Sequence, residues 1–205
     1  MVRKSNSSNE EPLVCDFTSG AVLHRFRYGG GRGQALPKAV GMRGGKTPKI
    51  VDATAGLGRD AFLLASLGAE VTLIERSPEM AELLQQGLAR AREATDDIAA
   101  VVERMTLIRG DAKDVLPDLT PEVVLVDPMH PPRKKSALVK NEMRQIRDIV
   151  GVDEDSQALM KVALSVATNR VVLKWPLRAE PMDGIPSCSH QILGKSTRYD
   201  VFMMT

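Results

Sequence analysis

The sequence predicts an α/β fold: a mostly parallel seven-stranded sheet with helices on both faces. Short apolar segments of strand length alternate with helical patterns through most of the 205 residues, which is the order of βαβ units. The predicted strands lack polar alternation, as expected for a sheet covered on both sides. Between the first strand and the first helix lies a small-residue turn, residues 52–60. Such a turn holds nucleotide-like cofactors in open sheets.

Each element has its own local signal. The first predicted helix stops at Gly68, a residue that commonly follows a helix C-terminus. The helix at 78–94 is expected to begin at Pro78, with Ser77 as its N-cap, because serine caps helices and proline suits the first helical position. We predict strands at 49–53, 70–75, 105–109, 123–127, 170–174, 190–193 and 199–203. We predict a short helical turn at 35–40 and helices at 59–67, 78–94, 96–103, 136–150 and 153–168.

The chain divides by composition into three parts. Residues 1–12 form a polar leader that we expect to be disordered, residues 13–48 a basic Gly/Arg-containing extension, and residues 49–205 the cofactor-binding domain. Two cysteines, Cys15 and Cys188, make neither a disulfide framework nor a metal cluster. No apolar run reaches the roughly 18 residues of a membrane span, and the N-terminus lacks a signal-peptide core. We therefore expect a cytoplasmic protein without a membrane or metal partner; its oligomeric state stays open.

Basic residues are concentrated in two stretches. Between Asp16 and Asp52 there are seven basic residues and no acidic one, and a second basic run follows residue 132. Such segregation favours a polyanion partner such as RNA, although a flexible linker and a solvated helix are the simpler alternatives. The candidate RNA-binding residues are Arg25, Arg27, Arg32, Arg133, Lys134, Lys135, Lys140 and, at the end of a strand, Lys174.

Acidic residues close four of the predicted strands at the edge where ligands bind. Glu75 is positioned for the two hydroxyls of a ribose, and Asp111 for an adenine amine; Asp52 and Asp127 are the other two. Gly56 and Gly58 allow close approach of the backbone, but the third glycine of the dinucleotide fingerprint is missing. Asp60 at the helix start repels phosphate and suits an ammonium group. The sequence therefore predicts S-adenosylmethionine rather than NAD.

The segment Asp127-Pro128 indicates the reaction. It resembles the Asp/Asn-Pro-Pro-aromatic motif of methyltransferases that act on amino groups of bases. A conjugated amine is a poor nucleophile, so acceptors on a rigid turn must bind its hydrogens and receive the proton. We expect Asp127 and nearby carbonyl groups to do so, and His130, at the aromatic position of the motif, to stack on the base.

Three groups of residues together resemble the RsmJ family, the bacterial 16S ribosomal RNA guanine-N2 methyltransferases. They are residues 52–62, Asp127-Pro128-Met129 with 135–140 and 142–144, and His24 with 29–34. The resemblance implies a class I methyltransferase (Rossmann-like) fold and methylation of one guanine in 16S rRNA, free or in the small subunit. It implies cofactor contacts at Arg59, Asp60, Glu75, Arg76, Asp111, Ala112 and Asp127.

Three other classes of function remain as alternatives. One is an S-adenosylmethionine-dependent methyltransferase acting on amines of DNA or protein, because the Asp-Pro motif does not distinguish RNA from DNA. The second is a non-catalytic RNA-binding module that uses the Arg/Gly segment. The third is an NAD-dependent enzyme, against which Asp60 and the missing third glycine argue.

Overall fold

The computed structural model describes residues 12–129, 141–151 and 155–204. Within them, seven strands form one sheet in the order β3-β2-β1-β4-β5-β7-β6. Strands β1 to β5 are parallel, whereas β7 is antiparallel to both of its neighbours. The strands are β1 (Ile50–Asp52), β2 (Val71–Glu75), β3 (Met105–Arg109), β4 (Val123–Val126), β5 (Arg170–Pro176), β6 (His190–Leu193) and β7 (Thr197–Met203).

The helices connect these strands and cover the sheet. In α4 the Ser77 hydroxyl accepts the N–H of Met80, and Pro78 is the first helical residue, so the predicted cap is confirmed. The helices are α1 (Gly20–Tyr28), α2 (Ala35–Ala39), α3 (Arg59–Ser66), α4 (Pro78–Arg92), α5 (Asp96–Val102), α6 (Ala112–Val115), α7 (Asn141–Val150) and α8 (Ser156–Val166), with 3₁₀ turns at Gly31–Gly33 and Leu116–Asp118.

Both faces of the sheet are buried. On β1, Ile50 belongs to the hydrophobic cluster beneath α3 and α4, whereas its neighbour Val51 belongs to the cluster beneath α8. The same alternation holds on β4, where Leu125 and Val126 belong to different clusters. Two apolar faces explain why the strand sequences lack polar positions, and the predicted α/β fold is confirmed.

The structure departs from the predicted elements mainly before residue 49. Helix α1 was not among the predicted helices, and the 13–48 segment packs into the same core through Cys15, Phe17, Leu36 and Met42. The short helix α6 was not predicted either; elsewhere the described parts of the predicted helices and strands differ from the observed ones by a few residues at their ends. Of the predicted leader, only residue 12 is among the described residues. Residues 136–140 and 153–154, the first residues of two predicted helices, are not described.

The described part of the chain shows neither a membrane-spanning helix nor a cluster of metal ligands. None of the helices there is long and apolar enough to cross a membrane. No group of three or more His, Cys, Asp or Glu side chains in the same part of the chain is arranged to hold a metal ion.

Candidate functional site

A cavity of about 560 Å³ opens at the carboxyl ends of the central strands, where strand order reverses between β1 and β4. This is the ligand position of open α/β sheets, and the volume is that of a small-molecule site. Most of the predicted site residues meet here. Those that line the cavity are Arg25, Asp52, Gly56, Arg59, Asp60, Glu75, Arg76, Asp111, Ala112, Asp127, Pro128 and Lys174.

The two glycines of the 52–60 turn have different roles. Gly56 has a φ of +52° and lines the cavity, and a Cβ there would have nothing closer than the Thr54 carbonyl oxygen at 4.0 Å. Gly58, with a φ of +67°, does not line the cavity; a Cβ there would lie 2.8 Å from Leu84 Cδ1. Gly56 therefore opens space for a ligand, whereas Gly58 is required by the core and by the start of α3. The predicted cofactor contact of Gly58 has no support in this geometry.

Glu75 fixes the turn that forms one wall of the cavity. Its Oε2 accepts the N–H of Gly56 at 2.8 Å, and its Oε1 accepts the N–H of Ser77 at 2.8 Å. The side chain is almost fully buried yet borders the cavity. One carboxylate thus holds the glycine turn, the end of β2 and the start of α4 in place beside the ligand space.

Lys174 links two acids inside the cavity. Its ammonium lies 2.7 Å from Asp60 Oδ2 and 2.6 Å from Asp127 Oδ2. Burial opposes its charge, but Asp127 and Asp60 raise the pKa of Lys174 above its usual value. The strand-end position of Lys174 on β5 was predicted, but its pairing with both acids was not. In this structure the ammonium lies in the cavity, and contact between Lys174 and the RNA substrate stays a prediction.

Asp60 also fixes helix α1 to the cavity. Arg25 Nη1 lies 3.2 Å from Asp60 Oδ1, and Arg25 Nε donates to Gln34 Oε1. Burial acts against ionisation of Asp60, but Lys174 and Arg25 outweigh it and lower the pKa of this carboxyl. The Asp60 carboxylate therefore already has two cationic partners. The sequence argument took its negative charge to exclude a cofactor phosphate from the cavity, but this charge alone does not do so.

Asp52 is the exception among the acids. It is buried at the end of β1, where its Oδ1 accepts the N–H of Thr54. Burial, with Asp60 and Asp127 nearby, raises the pKa of Asp52 to about 7. The Thr54 hydroxyl in turn accepts the N–H of Asp127 at 2.7 Å, which ties the ends of β1 and β4 together.

A second charged group lies at the β2–β3 end of the cavity. Asp155, just before α8, accepts Arg76 Nη1 at 2.9 Å and also contacts the Lys113 ammonium. Asp111 Oδ1 caps α6 by accepting the N–H of Lys113 at 2.9 Å. Hydrogen bonding from Lys113 lowers the pKa of Asp155 despite its partial burial. Arg76 therefore anchors the start of α8 over the cavity.

Helix α7 covers part of the cavity, which the sequence did not predict. Arg59, at the start of α3, pairs with Glu142 on α7. Ile146, Arg147 and Val150 of the same helix line the cavity, and Arg147 Nε is buried without a hydrogen-bond partner. The apolar spacing of 146, 149 and 150 was a signal for a packed helix face, but it did not indicate what the helix packs on.

Two described candidates for RNA binding, Arg27 and Arg32, do not line the cavity. Arg32 Nη1 and Nη2 donate to the carbonyl oxygens of Lys46 and Leu67, so its guanidinium fastens loops together, and Arg27 lies on the exposed side of α1. RNA contacts by these two stay predictions. His130, Arg133, Lys134, Lys135 and Lys140 lie outside the described residues.

The strand order, with a single antiparallel strand at β7, and the acid-lined cavity at the switch point define a class I S-adenosylmethionine-dependent methyltransferase. A family model described as a putative SAM-dependent methyltransferase matches residues 1–204. The chain belongs to the family of ribosomal RNA small subunit methyltransferase J.

Three relatives illustrate the membership. The protein of that name from Brucella anthropi is 67% identical over 199 residues, covering 97% of both chains. The Agrobacterium fabrum protein of the same name is 66% identical over 194 residues, covering 95% of this chain and 93% of the relative. A crystal structure of a SAM-dependent methyltransferase from Neisseria gonorrhoeae is 32% identical, with a TM-score of 0.75; the match covers 96% of this chain and 76% of that one.

Proposed function

We propose that this chain transfers a methyl group from S-adenosylmethionine to the exocyclic N2 amine of a guanine in 16S ribosomal RNA. The observation that carries the substrate class is the close similarity, over nearly the whole chain, to proteins named ribosomal RNA small subunit methyltransferase J. The choice of an amine as the target rests on the Asp127-Pro128 turn at the cavity. The choice of the N2 position of guanine rests on the family resemblance.

The cavity residues fit the cofactor. A carboxylate has about four acceptor positions, and Glu75 borders the cavity at the end of β2, so we assign it the ribose hydroxyls. Asp111 and Ala112 suit the adenine end, and Asp60 the ammonium of the amino-acid end. The space at Gly56 admits a ligand close to the backbone. The cofactor supplies a methyl group activated by a sulfonium sulfur.

Asp127 and Pro128 prepare the nucleophile. The amine lone pair is delocalised into the guanine ring, and acceptors on the amine hydrogens bias the nitrogen towards sp³ geometry. Asp127 is held by the N–H bond to Thr54 and by the Lys174 ammonium. Most of the rate gain then comes from holding the amine in line with the methyl group.

The transfer balances without another reactant. With S-adenosylmethionine held by Glu75, Asp111 and Asp60, the amine nitrogen would supply the lone pair of the new N–C bond, and the sulfur would keep the electron pair of the broken methyl–sulfur bond. The nitrogen then loses one proton, and the Asp127 carboxylate accepts it. The Lys174 ammonium, 2.6 Å from Asp127 Oδ2, holds this carboxylate in place at the cavity.

The activity is tested on RNA from cells that lack the gene. Purified protein, labelled S-adenosylmethionine and this 16S rRNA should yield N2-methylguanine at one position, identified by mass spectrometry. Small subunits from the same cells show whether naked or assembled RNA is preferred. Labelled DNA or protein in place of RNA would support an alternative substrate, and saturable RNA binding without cofactor binding would support a non-catalytic module.

The role of Asp127 is tested by Asp127→Ala. We expect this variant to bind the cofactor with partial loss and to lose most of the transfer, on the order of 100-fold or more. Asp118→Ala is the matched control, because Asp118 is exposed and does not line the cavity. Equal turnover by Asp127→Ala and the parent protein would remove Asp127 from the reaction.

A further inference from the structure

Two rings outside the cavity remain without a role in cofactor binding. Tyr28, the last residue of α1, is 75% exposed, more than any other large hydrophobic side chain among the described residues. His24 lies one turn earlier, also exposed, with its ring centroid 5.2 Å from that of Tyr28. Tyrosine offers a large, rigid contact surface at low entropic cost, which is why it is common at interfaces.

The opposite face of α1 is fixed in the core. Phe26 packs edge-on against Phe62 of α3, with the ring centroids 5.8 Å apart, and Val22 and Leu23 pack against the core. The chain leaves the helix directly after Tyr28, where a Cβ on Gly29 would lie only 2.2 Å from the Arg25 carbonyl oxygen. His24 and Tyr28 therefore lie on the face of α1 that points away from the core. We name this pair of residues the α1 platform.

The surroundings of the α1 platform are basic. Arg27 borders it on α1, although it also lies within electrostatic reach of Asp97 at the start of α5. Arg32 binds the Lys46 carbonyl oxygen, which brings a second basic loop to the segment that follows α1. Residues 17–51 contain no acid. Exposed rings with adjacent cations are the combination that binds single-stranded nucleic acid, by base stacking and phosphate contacts.

Helix α1, which carries the platform, also contacts the cavity. Arg25, adjacent in sequence to His24, reaches from α1 to Asp60 on the cavity wall. We propose that His24 and Tyr28 stack unpaired bases of the RNA strand that carries the target guanine, with Arg27 near the phosphates. RNA recognition commonly uses unpaired bases on aromatic rings. The proposal rests on the proposed function, because it takes the substrate to be RNA.

The test uses the full chain and two probes: 16S rRNA from cells lacking the gene, and a fluorescein-labelled unstructured oligoribonucleotide of mixed sequence. Tyr28→Ala should weaken oligoribonucleotide binding, measured by fluorescence anisotropy, about 5- to 100-fold and raise KM for rRNA. Affinity for S-adenosylmethionine should stay within twofold. Tyr28→Phe retains the ring and should behave like the parent. Leu193→Ala, on β6 where Leu193 is 64% exposed, is the control for loss of an exposed apolar group.

The outcomes separate this proposal from the proposed function. If the parent protein methylates no rRNA but Tyr28→Ala still weakens oligoribonucleotide binding, the proposed function fails and the α1 platform stands. Parent-like binding and KM in Tyr28→Ala overturn the α1 platform alone. If Tyr28→Phe loses as much affinity for the oligoribonucleotide as Tyr28→Ala, base stacking on this ring is ruled out.

Discussion

Replacing Lys174 by methionine removes the charge that bridges Asp60 and Asp127 but keeps the length of the side chain. The Lys174 side chain is only 22% exposed and that of Asp60 only 16%, so their charges are poorly solvated. Removing one partner of a buried pair costs about 3–5 kcal/mol when the other charge is left alone. Here Asp60 keeps Arg25 at 3.2 Å, and Asp127 is more exposed. We therefore expect a smaller loss, about 1–3 kcal/mol.

This loss should depend on pH in a defined direction. The pKa of Asp60 is lowered in the fold, so its contribution to stability is present above its unfolded value and disappears as pH falls through the folded one. The pKa of Lys174 is raised, so its contribution persists until pH rises past its usual value of 10.5. The loss of stability in Lys174→Met should have its full size between about pH 5 and pH 10 and should become smaller below about pH 4.

Thermal unfolding at pH 7.5 and pH 3.5 measures this deficit. For a chain of this size the expected loss lowers Tm by roughly 2–12 °C at pH 7.5. Methyl transfer to rRNA should fall more than cofactor affinity, and Lys174→Arg should restore part of the stability. Lys49→Met is the control, because the Lys49–Glu70 pair is exposed, at 3.9 Å, and surface pairs contribute about 0–1 kcal/mol. Parent-like Tm and turnover in Lys174→Met would refute the reasoning.

Three further substitutions test the site and its support. Asp52→Asn should leave stability unchanged near pH 4 and raise it progressively from about pH 4 to pH 7, by at most about 4 kcal/mol above pH 7. The reason is that burial raises the pKa of Asp52 in the parent from 3.8 to about 7. Equal Tm shifts at pH 4 and at pH 8 would contradict this. Gly58→Ala combines a positive φ with a contact to Leu84 and should destabilise by about 2–4 kcal/mol in chemical denaturation. Glu75→Ala should weaken S-adenosylmethionine binding about 10- to 100-fold by calorimetry, whereas the exposed control Glu70→Ala should not.

The sheet was predictable because its signals are local. Apolar runs, Gly68 and the Ser77 cap each act over a few residues, and β1 to β5 appeared near the predicted positions. Helix α1 escaped prediction because it begins with Gly20 and ends before a run of glycines, although Val22, Leu23 and Phe26 carry a buried helical face. That face can be recognised only in the folded structure, where Phe26 packs against Phe62 of α3.

The acids of the site were predictable for a similar reason. Carboxylates that end parallel strands must meet at one edge of the sheet, so Asp52, Glu75 and Asp127 could be grouped from spacing alone. Their partners could not, because Lys174 lies 47 residues from Asp127 and 114 from Asp60 in the chain. The cofactor contact of Gly58 stays a prediction, because a turn glycine beside a ligand and one packed against the core have the same sequence pattern.

The contact between Arg25 and Asp60 joins the helix of the α1 platform to the wall of the cofactor cavity. A cofactor ammonium that binds Asp60 competes with Arg25 for the same carboxylate and so changes how firmly α1 is held. Any such effect must be reciprocal. The factor by which cofactor changes the affinity for RNA must equal the factor by which RNA changes the affinity for cofactor. Binding or release of a ligand with an ammonium group at Asp60 would therefore be linked thermodynamically to binding of RNA at α1.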